Sequence, residues 1–216
     1  MKLIIFDMDG LMFDTERLVM RACIEAGKLL NYNITEKLYI KTIATDLNIA
    51  EAYFKEELGE QFDINEFYYE TRKIRDKLIE EQGLPVKPGL YELIEYLEKR
   101  GVKKAVASSS RLSVINNYLK LANLSNRFDK IMSSEQFEKG KPNPEIFLKT
   151  CEELGIEPKE AMVLEDSING LMAANNANIK CIVVPDLVEM SEGLKSKAYK
   201  IVNNLNDVSK ILEKIY

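Results

Sequence analysis

Two aspartates one residue apart, Asp7 and Asp9, stand at the end of the apolar run Leu3-Ile4-Ile5-Phe6 and are followed by Gly10. Carboxylates in that position can serve as a nucleophile, as a general acid and base, or as ligands for a hard cation. The same Asp-x-Asp-Gly spacing also occurs in ordinary turns and in calcium loops, so its meaning depends on the rest of the chain. Other apolar runs end in polar groups too. Ser108, Ser109 and Ser110 follow Lys104-Ala105-Val106-Ala107, Glu165 and Asp166 follow Ala161-Met162-Val163-Leu164, and Lys141 lies between them.

Asp7, Asp9, Glu165 and Asp166 cannot crowd into one pocket unaided, because like charges about 4 Å apart repel by roughly 4 kcal/mol at an effective dielectric near 20. A hard divalent cation resolves this, and Mg2+ suits a set of carboxylates, carbonyl oxygen and water. Lys141 supplies a second positive charge. Together with the Ser108 hydroxyl, these groups form a receptor for the three oxygens of a phosphoryl group. Asp7 could then attack phosphorus, as carboxylates do in aspartyl-phosphate chemistry. Asp9 could protonate the leaving alkoxide and afterwards activate water, a role worth about 10²- to 10⁴-fold. Ser109 and Arg111 are candidate phosphate contacts, although Ser109 and Ser110 equally suit a turn or helix cap and Arg111 the start of a helix.

The elements that must position these groups alternate. Residues 3–6, 104–108, 130–134, 161–166 and 181–184 read as short buried strands, separated by helices over 89–100, 111–122, 144–154 and 168–177. Gly155 reads as a helix stop and Ser167 as a helix cap. This alternation predicts an α/β fold with a parallel sheet and right-handed crossovers, whose strand ends share one edge. Between residues 15 and 82 the pattern is helical instead. Thr15 reads as the cap of a helix through Leu29, and further helices fit 36–43, 49–57 and 64–81. Two prolines in Leu84-Pro85-Val86-Lys87-Pro88-Gly89 end that block. Arg72, Lys73, Arg75 and Lys77 on its last helix read as a solvated face. Met8, Leu11, Met12 and Phe13 read as core packing.

Composition narrows the chemistry further. The 216 residues contain no histidine, which excludes Ser-His-Asp and Cys-His nucleophilic sites and His-ligated zinc. The formal net charge of -5 argues against a nucleic-acid or anionic-membrane partner. Cys23, Cys151 and Cys181 are odd in number and far apart, which fits buried thiols in a cytoplasmic protein rather than a disulfide framework. No run suits an export signal or a membrane span.

Four motifs now stand in order along nearly the whole chain: Asp7 to Glu16, Ser108, Lys141-Pro142-Asn143-Pro144, and Glu165-Asp166-Ser167. In this the chain resembles the haloacid dehalogenase superfamily, specifically the phosphatases and phosphomutases similar to β-phosphoglucomutase and phosphoglycolate phosphatase. The resemblance implies a Rossmann-like doubly wound core over 1–14 and 86–216 with an inserted helical cap over 15–85. That cap would close over the pocket and hinge near Asp14-Thr15 and Leu84-Pro88. It implies Asp7 as nucleophile, Asp9 as acid and base, and Ser108 and Lys141 as phosphoryl contacts. The metal falls to Asp7, the Asp9 backbone carbonyl and Asp166, with Glu165 nearby.

The expected activity is hydrolysis of a small phosphorylated metabolite. Related phosphomutases carry a histidine in the first cap helix, where this chain has Val19, and the dehalogenase branch lacks the second aspartate. A phosphoacceptor signalling domain is the rival of another class, and the helical insertion and Asp9 weigh against it. Asn178 stands where relatives often have glycine after a helix, a position its tolerance of left-handed backbone suits.

Overall fold

The apolar run Leu3–Phe6 is buried along its whole length, as a strand inside a sheet covered on both faces must be. In the computed structural model, which describes residues 1–43, 45 and 47–214, this strand, β1, belongs to a six-stranded sheet. The others are β2 (Lys103–Ser108), β3 (Lys130–Ser133), β4 (Ala161–Glu165), β5 (Lys180–Val183) and β6 (Lys200–Ile201). Their order is β3-β2-β1-β4-β5-β6, with every neighbouring pair parallel. The chain winds outward from β1 through β2 to β3, then returns to β4 and winds the other way. The winding therefore reverses between β1 and β4, and a crevice opens outside the carboxyl ends of the strands at such a reversal. Asp7 follows β1 and Glu165 ends β4, so both lie at that point.

Two compact units make up the chain: Met1–Asp14 with Val86–Tyr216, and Thr15–Pro85. The second holds α1 (Thr15–Leu29), α2 (Glu36–Thr42), α3 (Leu47–Leu58) and α4 (Ile64–Gln82). The α1 helix starts at Thr15 itself. Asp63 caps α4 by accepting hydrogen bonds from the Asn65 and Glu66 N–H groups, and Gly83 with φ of 82° ends it. Phe54 and Phe62 stack inside this unit, and Phe67 packs against both at a tilt. Its basic residues lie where the charge pattern put them, with Lys73 paired to Glu70, Arg75 to Asp76 and Lys77 to Glu81.

The sheet unit carries α5 (Leu90–Lys99), α6 (Leu112–Leu121), α7 (Glu145–Leu154), α8 (Ile168–Asn176), α9 (Glu192–Lys195) and α10 (Leu205–Leu212). Gly155 takes the left-handed conformation that stops α7, and Asn178 does the same after α8 with φ of 56°. Met8, Leu11, Met12 and Phe13 are buried, as are all three cysteines. Among the described residues no helix is long and apolar enough to cross a membrane. The third strand stops at Ser133, one residue short of the span expected from sequence, because Ser133 caps a 3-10 turn over Ser134–Gln136. Beyond residue 184 the sequence suggested no element, whereas β6, α9 and α10 complete the sheet unit.

Candidate active site

Each chemical side chain is aimed by the local fold of its strand end. The Asp7 N–H continues the ladder past β1 by donating to the Leu164 carbonyl at 3.0 Å, which holds Asp7 beside β4. The chain then turns sharply. Met12 N–H returns to the Met8 carbonyl at 2.9 Å and Gly10 N–H to the Phe13 carbonyl at 2.9 Å. Gly10 sits at φ of 79°, and a Cβ there would overlap the Asp166 carboxylate. Glycine is therefore required both by the turn and by the space Asp166 takes.

Asp7, Glu165 and Asp166 each present a carboxylate oxygen within 4.8 Å of the other two. Lys141 reaches this group from its loop. Its ammonium donates to Asp7 Oδ1 at 2.5 Å, to Glu165 Oε1 at 2.6 Å and to the Ala107 carbonyl at 3.0 Å, so all three N–H donors have acceptors. The Lys141 side chain is only 4% exposed. Glu165 is fully buried, and its Oε2 accepts from the Asp166 and Ser167 N–H groups and the Ser167 hydroxyl. The Ser167 hydroxyl in turn caps α8 by accepting from Gly170 N–H at 3.0 Å.

Two buried carboxylates thus share one ammonium. Burial lowers the Lys141 pKa, but the charges of Asp7 and Glu165 outweigh it and raise the value overall, so the group stays an ammonium. Burial pushes the Asp7 carboxyl up to about 8, with Lys141 opposing and Glu165 and Asp9 adding to the rise. This surplus of negative charge, on hard oxygen donors with no imidazole available, fits a divalent cation such as Mg2+. Asp7 and Asp166 would hold it with Glu165 behind them, and its charge would reverse the upward shift at Asp7.

The Asp9 carboxylate faces β2. Its Oδ2 accepts from the Ser110 hydroxyl at 2.7 Å and from the Ser108 hydroxyl at 3.4 Å. Ser108 is buried, while Ser109 and Arg111 are exposed. Arg111 occupies the N-cap position of α6 without a side-chain cap bond. Ser110, read from sequence as a turn or cap, instead points its hydroxyl at Asp9. Nothing in the spacing Ser108-Ser109-Ser110 distinguishes the three serines, because the turn after β2 decides which hydroxyl looks inward.

Gly170 supplies a stringent test of this packing, since a Cβ there would overlap the Glu165 carboxylate. Gly170→Ala must displace a carboxylate locked by Lys141 and Ser167. The expected cost is about 1–3 kcal/mol, read as a fall in Tm of about 2–4 °C per kcal/mol. A Tm within a degree of the parent protein would show that Glu165 can move freely.

Comparison with known proteins agrees with this architecture. The model for haloacid dehalogenase-like hydrolases matches residues 4–184. A candidate phosphatase of Bacillus subtilis (strain 168), YhcW, is 31% identical over 192 residues, covering 87% of this chain and 84% of its own. The phosphorylated carbohydrates phosphatase of Thermotoga maritima is 28% identical over 217 residues, covering 99% and 91% respectively. The crystal structure of a candidate β-phosphoglucomutase, also from Thermotoga maritima, superposes with a TM-score of 0.85 at 26% identity over 100% of both chains. With a parallel sheet, a winding reversal and a matching family over most of its length, the chain belongs to the haloacid dehalogenase-like hydrolases as a phosphohydrolase of that family.

Proposed function

We propose that this protein is a Mg2+-dependent phosphatase that hydrolyses a small phosphorylated metabolite of the sugar-phosphate type through an aspartyl-phosphate at Asp7. The observation that carries this reading is the Lys141 ammonium bound to both Asp7 and Glu165, with Asp166 completing an acidic group around a strand-end nucleophile. Relatives named for phosphorylated carbohydrates and hexitol phosphate support the substrate class.

In this mechanism the Asp7 carboxylate attacks phosphorus, and the bond from phosphorus to the substrate oxygen breaks. Asp9 passes its proton to the departing alkoxide. Water then attacks the phosphoryl group on Asp7, Asp9 takes the water proton, and the bond from phosphorus to the aspartyl oxygen breaks. This frees Asp7 and inorganic phosphate. Lys141 and the Ser108 hydroxyl hold the phosphoryl oxygens and meet the charge that develops on them. Asp7 and Asp166 would hold Mg2+, which would supply positive charge against the phosphoryl oxygens and favour the ionised form of Asp7. The helical unit over 15–85 serves as the cap that selects the substrate and excludes water.

Phosphate release from sugar phosphates, hexitol phosphates, nucleotides and phosphoglycolate, with and without Mg2+, tests this directly. The expected result is release well beyond one equivalent per protein, highest with a sugar-type phosphate and abolished by chelation. Release that stops at one equivalent would instead identify a phosphoacceptor domain.

A further inference from the structure

We propose that Ser110 is a positioning residue for Asp9, its hydroxyl fixing the carboxylate in the orientation from which it protonates the leaving group; the inference rests on the phosphatase reading above. The contact from Ser110 Oγ to Asp9 Oδ2 at 2.7 Å is of ordinary length for a good O–H···O hydrogen bond. Ser108, at 3.4 Å from the same oxygen, is a much weaker support. Its hydroxyl is also engaged elsewhere, since it accepts from the Ser110 N–H at 3.0 Å.

Ser110 is itself held on each side of its hydroxyl. Its N–H is tied to Ser108, and its carbonyl accepts from the Ser133 hydroxyl at 2.7 Å. Ser133 is fully buried at the end of β3 and is locked by a capping box with Gln136. The same 3-10 turn sends Glu135 back to accept from the Leu112 N–H at 3.1 Å, at the start of α6. The end of β2, the end of β3 and the start of α6 therefore converge on one half-buried serine, whereas Ser109 beside it is exposed. Two hydroxyls address Oδ2, which fixes the orientation of the Asp9 carboxylate. A side chain positioned by surrounding hydrogen bonds delivers its proton without first searching rotamers.

The test uses kcat/KM, which reports on the step that breaks the bond to the leaving group. Ser110→Ala, Ser110→Thr, Asp9→Asn and the double variant Asp9→Asn with Ser110→Ala are compared on an alkyl phosphate and on p-nitrophenyl phosphate, whose leaving group needs no proton. Ser110→Ala is expected to lower kcat/KM about 10-fold on the alkyl ester and less than about 3-fold on the aryl ester, part of the 10²- to 10⁴-fold that proton transfer supplies. Ser110→Thr, which keeps the hydroxyl, is expected to restore the alkyl rate. Adding Ser110→Ala to Asp9→Asn is expected to cost almost nothing more, because the two residues act as a unit.

Equal losses on both esters would make Ser110 a phosphate contact and overturn the inference, as would additive losses in the double variant. Asp7→Asn serves as the separate control. If that variant keeps turnover, the phosphatase reading itself fails, whereas an inactive Asp7→Asn combined with no leaving-group asymmetry removes only the role of Ser110.

Discussion

Asp7→Asn is expected to lower turnover by at least about 10⁴-fold, because the amide cannot form the acyl phosphate that every later step consumes. The same change should stabilise the protein when no cation is bound. Asp7 is buried, and its carboxyl is pushed from an ordinary value of 3.8 up to about 8. Below about pH 4 the group is neutral whether the chain is folded or not, and it has no effect. Between pH 4 and 8 it ionises readily only in the unfolded chain, so stability drains away as pH rises through that window. The Asn variant carries no such loss. Its Tm advantage in chelator should therefore grow from pH 4 to pH 8, then shrink when saturating Mg2+ is added to the parent protein. Thermal unfolding at several pH values, with and without Mg2+, checks this. A variant that is less stable than the parent at pH 8 in chelator would contradict the charge surplus described for the site.

Lys141→Met should be the most damaging single change to the fold of the site. Methionine keeps the stem that packs near Phe147, whose ring lies 4.9 Å from the ammonium, but it strands Glu165, and Asp7 wherever that group is ionised, without their shared counter-charge. Removing one member of a buried ion pair costs about 3–5 kcal/mol, and turnover should be lost together with the phosphoryl contact. Lys141→Arg should not rescue activity, since a planar fork cannot direct three donors at Asp7, Glu165 and the Ala107 carbonyl. The decisive comparison adds Glu165→Gln to Lys141→Met. Deleting one stranded charge should return part of the stability and none of the turnover, a coupling that denaturant titration and phosphate release measure separately. Strictly additive stability losses would mean that Lys141 and Glu165 do not act on each other.

The parallel sheet was legible because β1, β2 and β4 are short apolar runs that end abruptly in polar residues, and burial on both faces leaves no alternation to misread. Gly155 and Asn178 announced the ends of α7 and α8 by their tolerance of left-handed backbone. The end of the chain was not legible. Lys200–Ile201 is a two-residue exposed edge strand, too short for any periodicity to register. Candidate site residues at strand ends could be picked out because topology alone places them on one edge. The partners of those residues could not. Ser133 reaches Ser110 across 23 positions, and Lys87 reaches Asp186 at 2.7 Å across 99, so neither pairing has a local signature. Serine in particular carries no directional information in sequence, since one hydroxyl serves a cap, a turn or a carboxylate equally well.

The two places where the chain leaves and re-enters the sheet unit are joined to each other. Phe13 forms an antiparallel bridge with Val86, the Lys87 N–H donates to the Met12 carbonyl at 2.9 Å, and the Lys87 ammonium lies 3.4 Å from Asp14. To the sheet, everything over residues 15–85 is one loop with its mouth already sewn shut. Lengthening a loop tenfold adds only about 2 kcal/mol of closure entropy, so this seam tolerates a few residues or a whole helical module almost equally. The strand ends that carry Asp7 and Asp9 are therefore anchored by the seam itself, whatever length of chain runs between its two sides.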